Sequence, residues 1–196
     1  MNLTDFFNKA AENWDENVFH DINKINQIMS FIDIKKGRSI LDVGTGTGVL
    51  IPFLHSCIGE TGRIVVADLA QNMIDIAKSK YYYKNTKFIV SDVLSEDFPY
   101  KQFDNIICYS MFPHFIDKRK AILTLANYLN KGGKLVICHS QSRDTINNFH
   151  KNKVDLDKDT MLPSIQYFRN MFDECGLGTI TEIDNDEMFV VIGVRY

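Results

Sequence analysis

Several features that decide the cellular setting of a protein are absent from this sequence. No apolar run approaches the roughly 18 residues that a membrane span needs, and the N-terminal residues lack the apolar segment of a secretory leader. The cysteines form no C-x-x-C pair, so neither a disulfide framework nor a structural zinc site is indicated. They are widely separated along the chain: Cys57, Cys108, Cys138 and Cys175. We therefore expect a reduced, cytoplasmic protein without a membrane anchor.

Long runs of basic charge are also absent. The formal net charge is −3 and the lysines are scattered, so nothing attracts a polyanion over a long distance, and nucleic acid is an unfavoured partner. There is no repeat, low-complexity tract or linker, and 196 residues with 45% apolar content suit one core. We expect a single domain over 1–196, with a helical cap at 1–36 and the core at 37–196. The oligomeric state stays open.

Short runs rich in β-branched residues alternate with longer helical patterns through most of the chain. This alternation is typical of βαβ units and predicts an α/β fold with a doubly wound, mostly parallel sheet. Seven strands are predicted at residues 39–43, 63–68, 87–91, 103–109, 134–139, 179–184 and 188–195. Helices are predicted between them at residues 49–58, 71–80, 118–129 and 164–175. The last two strands should pair antiparallel, and glycines at 132–133 and 176 should end helices.

The first predicted strand runs into a glycine-rich turn, in the string SILDVGTGTGVL at 39–50. Glycines at alternate positions let backbone N–H groups and the start of the next helix approach a ligand that a Cβ would exclude. In a doubly wound sheet such a ligand lies across the carboxyl ends of the strands, where the strand order reverses. A tight turn without a ligand can show the same pattern. The residues around the turn therefore have to distinguish a ligand site from a turn that binds nothing.

Carboxylates near the turn indicate the kind of ligand. Asp68, at the end of the second strand, is placed to accept hydrogen bonds from both hydroxyls of a ribose. Asp92, at the end of the third strand, is within reach of an adenine amino group. Capping of the following turn is the alternative for either residue. Asp42 precedes the first glycine and would repel the pyrophosphate of a dinucleotide, so a nucleoside with a positive charge is favoured.

Four strings, ILDVGTGTGVL, VVADLAQNMIDIAK, FIVSDV and FDNIICYSMFPHF, occur in this order along the chain. Together they resemble the class I S-adenosylmethionine (SAM)-dependent methyltransferases from about Ser39 onward. The resemblance implies a Rossmann-like fold and SAM as cofactor, with N-terminal helices that cover it. Lid candidates are then Phe6, Trp14 and His20. The implied cofactor-binding residues are Asp42, Gly44, Thr45, Gly46, Gly48, Asp68, Leu69, Met73, Asp92, Val93, Ser110 and Trp14.

The residues directly after the fourth strand indicate the nature of the acceptor. Methyl transfer from a sulfonium is an in-line displacement, which depends mainly on positioning and, where needed, on proton removal. The amino-methylating nucleic-acid enzymes of this fold carry an Asx-Pro-Pro-aromatic string at this point. Here residues 110–114 read SMFPH instead. This difference and the negative net charge favour a small-molecule acceptor.

Three histidines are candidates for the acceptor side: His114 after the fourth strand, His139 at the end of the fifth, and His150 in the polar segment 140–163. A connection of that length is expected to be functional or mobile. The histidines can act as general bases or orient the substrate, bind a divalent metal such as zinc, or lie in a solvated loop. Arg143 would share a helical face with His150 and either bind an anionic substrate group or form a surface salt bridge.

Two further functions are compatible with a nucleoside site. The first is a nucleotide-dependent oxidoreductase, against which Asp42 and the G-T-G-T-G spacing argue. The second is a sensor or assembly protein that binds the cofactor without transferring a methyl group. The sequence leaves the acceptor atom open.

Overall fold

The chain folds around one seven-stranded sheet. The computed structural model describes residues 2–152 and 160–196. The strands are β1 (Ser39–Val43), β2 (Arg63–Asp68), β3 (Thr86–Val90), β4 (Phe103–Tyr109), β5 (Leu129–His139), β6 (Leu177–Asp184) and β7 (Phe189–Arg195). Their order is β3-β2-β1-β4-β5-β7-β6. β7 runs antiparallel to β5 and β6, and the other pairs are parallel. The predicted doubly wound, Rossmann-like sheet is confirmed.

Helices cover both faces of the sheet. They are α1 (Leu3–Ala10), α2 (Trp14–Asn17), α3 (Ile22–Ile32), α4 (Ile51–Ile58), α5 (Gln71–Lys80), α6 (Lys118–Asn127), α7 (Arg143–Asn152) and α8 (Ile165–Glu174). Apolar residues of α3, α4 and α5 pack on one face, and those of α6, α7 and α8 on the other. Because successive residues of a strand point to opposite faces, each central strand supplies both cores. In β2, Val66 joins the first core and Val65 the second.

The strand order reverses at β1. β1 pairs with β2 on one side and with β4 on the other, so the connections that leave β1 and β4 diverge at their carboxyl ends. A crevice is expected at such a switch point. The glycine-rich turn follows β1 and Ser110 follows β4, and the fold therefore places both at the same edge of the sheet.

One boundary differs from the prediction for a physical reason. β5 begins at Leu129, earlier than predicted, and Gly132 lies inside this strand with a φ of 74°. Phe103 of β4 pairs with Leu129 but Asn105 pairs with Lys134, so the extra residues of β5 bulge out around the glycine. Gly132 therefore serves a strand irregularity and not a helix end. Gly176 follows Cys175, the C-cap of α8, and its φ of 74° ends the helix as predicted, one position later than the C-cap itself.

The predicted helical cap consists of α1, α2 and α3, with a short 3-10 turn (Ala11–Asn13) between the first two. α1 packs against α5. Asn8 fixes this contact, because its side-chain and backbone oxygens both accept hydrogen bonds from Asn72 at 2.9 Å. Asp21 is the N-cap of α3, and its carboxylate accepts hydrogen bonds from the N–H groups of Asn23 and Lys24 in the first turn. α1 and α2 thereby lie over the carboxyl edge of the sheet, where α5 begins, while α3 packs on a face of the sheet.

The predicted polar connection 140–163 contains helix α7, while its residues 153–159 lie outside the described part of the chain. Asn147 of α7 is buried and binds both backbone groups of Leu162. Its amide donates to the Leu162 carbonyl at 3.1 Å and accepts from the Leu162 N–H at 2.7 Å. The chain is thus fixed to α7 where it returns toward α8. Over residues 2–152 and 160–196, no helix is long and apolar enough to cross a membrane.

Candidate functional site

Two adjoining cavities open at the carboxyl edge of the sheet, at the switch point. The larger comprises about 820 Å³ and the smaller about 400 Å³, and both volumes include space that is open to solvent. The larger cavity extends along the ends of β2 and β3 beneath α1, and the smaller lies between β1, β4 and the segment after α2. Both are lined by Trp14, Gly44, Gly46 and Ser110. The shared lining makes them two halves of one cleft.

The glycine-rich turn after β1 folds back onto β2. The N–H groups of Gly44 and Thr45 both donate to the carbonyl of Ala67, at 2.8 and 3.1 Å. Gly44 and Gly46 have φ values of 65° and 55°, a left-handed conformation that glycine adopts at little cost. A Cβ on Gly44 would lie 2.8 Å from Cγ of Met111. The turn therefore needs glycine both for its conformation and for the close approach of the segment after β4.

Asp42 is a buried carboxylate on the wall of the smaller cavity. It is 2% exposed, and its Oδ2 accepts a hydrogen bond from Thr45 Oγ1 at 2.7 Å. Burial raises the pKa of Asp42 to about 7, opposed by the Thr45 hydrogen bond and reinforced by the charge of Asp68. The carboxyl is therefore close to half protonated at neutral pH when the site is empty. A cation placed beside it would stabilise the carboxylate and lower this pKa.

Asp68 ends β2 and faces the larger cavity. Its Oδ2 accepts from the Gly46 N–H and its Oδ1 from the Ala70 N–H, both at 2.9 Å. Burial raises the pKa of Asp68, against the lowering effect of the backbone N–H groups. A carboxylate has about four lone-pair sites, so each oxygen can accept another hydrogen bond from the cavity. Capping of the turn and ligand binding, the two alternatives from the sequence, are compatible in this geometry.

Asp92 and Ser110 take comparable positions at the ends of β3 and β4. Asp92 lines the larger cavity, and its Oδ1 accepts a hydrogen bond from the Leu94 N–H at 2.8 Å. Ser110 has a φ of 54°, which is uncommon for a residue with a Cβ. Its N–H donates to the carbonyl of Cys138 on β5 at 2.9 Å. This conformation turns the chain from β4 across the junction of the two cavities.

The helical cap closes the cleft on its outer side. Trp14 lines both cavities, and the ring of Phe7 lies edge to face with it at a centroid distance of 5.5 Å. Asp15, the next residue of α2, accepts hydrogen bonds from Thr47 of the glycine-rich turn and from Lys80 Nζ of α5. These contacts hold α2 against the turn and against α5.

The structure brings the three candidate histidines to one region. His114 lines the larger cavity, and its ring centroid lies 5.3 Å from that of His150 on α7. His139 is 3% exposed and lines neither cavity. Burial, with the nearby charges of His114 and His150, lowers the pKa of His139 to about 3. Of the three, His114 is the one that lines a cavity, while the catalytic roles of His139 and His150 stay predictions, and the burial of His139 argues against its direct contact with an acceptor.

Two other predictions for this region are corrected. Within residues 2–152 and 160–196, no group of three or more His, Cys, Asp or Glu side chains is arranged to hold a metal ion. The metal site predicted at His114, His139 and His150 is not formed, because the first and last rings pack on each other, tilted by 46°, and the second is enclosed in the core. Arg143 forms the alternative salt bridge, to Asp184 Oδ2 at 2.8 Å.

The residues predicted to bind the cofactor all line the cleft except Gly48. Gly48 has a φ of 88°, and a Cβ there would lie 2.7 Å from Cδ1 of Ile51, so this glycine serves the packing of α4. Among the lid candidates, Trp14 and His20 line the cleft. The ring of Phe6 contacts Phe7 instead.

Sequence reasoning missed several residues of the cleft. Tyr109 and Met111 flank Ser110 at the end of β4 and line the smaller and the larger cavity, respectively. Their position beside the switch point was a signal that could have identified them. Phe7 lines the larger cavity only because α1 packs against α5, and no local pattern indicates that contact.

The fold and the cleft together have the features of a class I SAM-dependent methyltransferase. These features are the strand order with its antiparallel β7, the glycine-rich turn with its buried acid, and the acids that end β2 and follow β3. A family model described as a methyltransferase domain matches residues 40–133. This central part of the chain is therefore similar to that methyltransferase family, whose class I members use SAM.

Similar proteins carry names that point to different acceptors. Ribosomal RNA small subunit methyltransferase A of Mycoplasma capricolum is 30% identical over 156 residues, which are 71% of this chain and 56% of that protein. The ubiquinone/menaquinone biosynthesis C-methyltransferase UbiE of Escherichia coli is 28% identical over 141 residues, 61% of this chain and 56% of that protein. The chain thus spans little more than half the length of these relatives.

A solved structure has the same fold over nearly its whole length. Magnesium protoporphyrin IX methyltransferase from Synechocystis, determined with bound SAH, superposes with a TM-score of 0.73 over 99% of this chain and 98% of that chain. The two sequences are 14% identical. Likeness at this level of identity establishes the fold, and the acceptor has to be argued from the cleft itself.

Proposed function

We propose that this protein transfers the methyl group of SAM to a small-molecule acceptor. The observation that carries the proposal is the buried carboxyl of Asp42, with a pKa of about 7, which lines the cleft at the switch point of the sheet. Such a group favours a ligand with positive charge. The adenosine half of SAM fits the larger cavity, with its ribose at Asp68 and its adenine near Leu69 and Asp92. The methionine half then lies beside Asp42 in the smaller cavity.

The enclosure of the cleft supports a small acceptor. Phe7 of α1 contacts the ring of Trp14 on one side and that of His114 on the other, at 5.5 and 5.3 Å. A nucleic-acid strand would have to displace this aromatic contact to reach the junction of the cavities. The net charge of −3 also disfavours a polyanion. The names of UbiE and of the protoporphyrin methyltransferase refer to small molecules, whereas the ribosomal RNA relative makes RNA the acceptor class to test against.

The function is tested in two steps. Purified protein should melt at higher temperature with S-adenosylhomocysteine, because a ligand that binds only the folded state stabilises it, and nicotinamide nucleotides should have no such effect. Transfer of labelled methyl from SAM is then measured with small phenols, amines, thiols and quinols, and with ribosomal RNA in a separate arm. Affinity without turnover in any arm would favour a SAM-binding sensor, and turnover on RNA alone would contradict the small-molecule acceptor.

His114 is our candidate for proton removal from the acceptor, since it lines the cavity and a neutral imidazole is a base near neutral pH. Replacing His114 by glutamine should lower kcat by at least about tenfold, with S-adenosylhomocysteine affinity unchanged. His55→Gln is the control, because His55 stacks on Tyr83 and lines neither cavity. An unchanged kcat in His114→Gln would exclude this role.

A further inference from the structure

The smaller cavity is lined by side chains of different chemistry. Asp42 lines it and accepts a hydrogen bond from the Thr45 hydroxyl. His20, from the segment between α2 and α3, and Tyr109, from the end of β4, line the same cavity. Among the described residues that line this cavity, His20 alone can carry a positive charge. The cavity therefore offers one acid and one imidazole to whatever occupies it.

A hydrogen-bond chain fixes the imidazole of His20. Its Nδ1 lies 3.1 Å from the hydroxyl of Tyr109, which lies 2.8 Å from Oγ of Ser140. Tyr109 and Ser140 are both buried. When Ser140 donates to Tyr109 and Tyr109 donates to Nδ1, the proton of the neutral imidazole is on Nε2. That nitrogen is then the donor available to a ligand.

Lys80, the second cationic side chain close to His20, is already paired with an acid. Lys80 Nζ of α5 donates to Asp15 of α2 at 2.7 Å. Burial lowers the pKa of His20, Asp15 raises it, and Lys80 lowers it further. His20 is thus a neutral N–H donor in the empty site, and an anion beside it would favour its protonated form.

SAM ends in an α-amino acid, which carries both an ammonium and a carboxylate. We propose that His20 binds the α-carboxylate of SAM in the cavity that Asp42 also lines, and that it is a determinant of cofactor specificity. Asp42 then interacts with the positively charged ammonium of the same amino-acid group. This inference rests on the proposed function, because it takes SAM and S-adenosylhomocysteine as the ligands of the cleft. His20 would then be a residue of the helical cap that binds the amino-acid end of the cofactor, which is remote from the adenine.

Calorimetric titration with two ligands tests the proposal. S-adenosylhomocysteine carries the carboxylate, and its decarboxylated analogue keeps the amine and the adenosine without it. His20→Ala should bind S-adenosylhomocysteine roughly 10- to 100-fold more weakly than the unmodified protein, since it loses a hydrogen bond to a charged group. The analogue should bind both proteins alike. His20→Arg should restore a preference for the carboxylate, because the guanidinium is a cationic donor.

Two controls separate recognition from a structural role. Phe19→Ala changes the neighbouring residue of the same segment, which is 85% exposed, and should leave both affinities unchanged. Tyr109→Phe removes the partner of Nδ1 and should weaken S-adenosylhomocysteine selectively, by less than His20→Ala does. An equal loss for both ligands in His20→Ala, or no loss for either, would overturn the proposal while leaving the SAM site intact. If the unmodified protein binds neither ligand, the proposed function fails and this inference with it.

Discussion

Replacing Asp42 by asparagine is expected to weaken the binding of SAM by about 3 kcal/mol or more, roughly 150-fold. The side chain is 2% exposed, so water screens its charge little. A cationic ligand that enters the smaller cavity would lose its one acidic partner on that wall while remaining desolvated. The asparagine has the same shape and can still accept from Thr45, so the change removes charge with little change in packing. Calorimetric titration with SAM at pH 8 measures the effect.

The same carboxyl should make cofactor binding depend on pH. The pKa of Asp42 is about 7 in the empty protein, and the cation binds the deprotonated form. The affinity for SAM should therefore rise about tenfold between pH 6 and pH 8 and then level off, with about half a proton released per ligand at pH 7 and close to one at pH 6. Asp42→Asn should lose this contribution to the pH dependence. Methylthioadenosine, which has no amino-acid end, should bind both proteins with the same weak pH dependence.

The stability of the empty protein should change in the opposite direction. Because burial raises the pKa of Asp42 from 3.8 to about 7, the folded state holds this proton more tightly than the unfolded chain. The stability that this provides is present in full below about pH 3.8 and is lost as the pH rises to 7 and above. Asp42→Asn has no such loss and should be more stable at pH 8, by at most about 4 kcal/mol. A variant that is less stable at pH 8 and still binds SAM would assign Asp42 to folding alone.

The sheet could be predicted because its signals are local. Short β-branched runs alternate with longer helical patterns, and this alternation indicates a doubly wound, mostly parallel sheet. Gly132 could not be assigned, because a positive φ at glycine serves a helix end and a strand bulge equally well. Its role depends on how Asn105 and Lys134 pair, which is a contact between distant parts of the chain.

For the cleft as well, some residues could be predicted from the sequence and others could not. Asp42, Asp68 and Asp92 could be placed because the ends of parallel strands meet at one edge. His139 also ends a strand, but its side chain is buried in the core, and sequence does not reveal which way a terminal side chain turns. Arg143 could not be resolved either, since its partner Asp184 lies at the far end of β6.

Replacing Asp68 by alanine is expected to weaken S-adenosylhomocysteine binding by about 2–3 kcal/mol, because the ribose hydroxyls would lose a charged acceptor. The effect should be specific to the ribose. In the unmodified protein, the 2′-deoxyribose analogue should bind more weakly than S-adenosylhomocysteine. In Asp68→Ala the two ligands should bind almost equally, because the partner of the hydroxyl is gone. Titration of both ligands into both proteins gives the coupling energy between the Asp68 side chain and the ribose 2′-hydroxyl directly.

This ligand comparison also isolates binding from folding. Asp68 accepts hydrogen bonds from the Gly46 and Ala70 N–H groups, so Asp68→Ala should lower the melting temperature of the empty protein as well. That loss is common to both ligands and cancels in the coupling energy. Asp75→Ala removes an exposed acid from the neighbouring helix α5 and should change neither affinity. A difference between the two ligands that persists unchanged in Asp68→Ala would restrict Asp68 to holding the turn, and the ribose would have to bind elsewhere in the cleft.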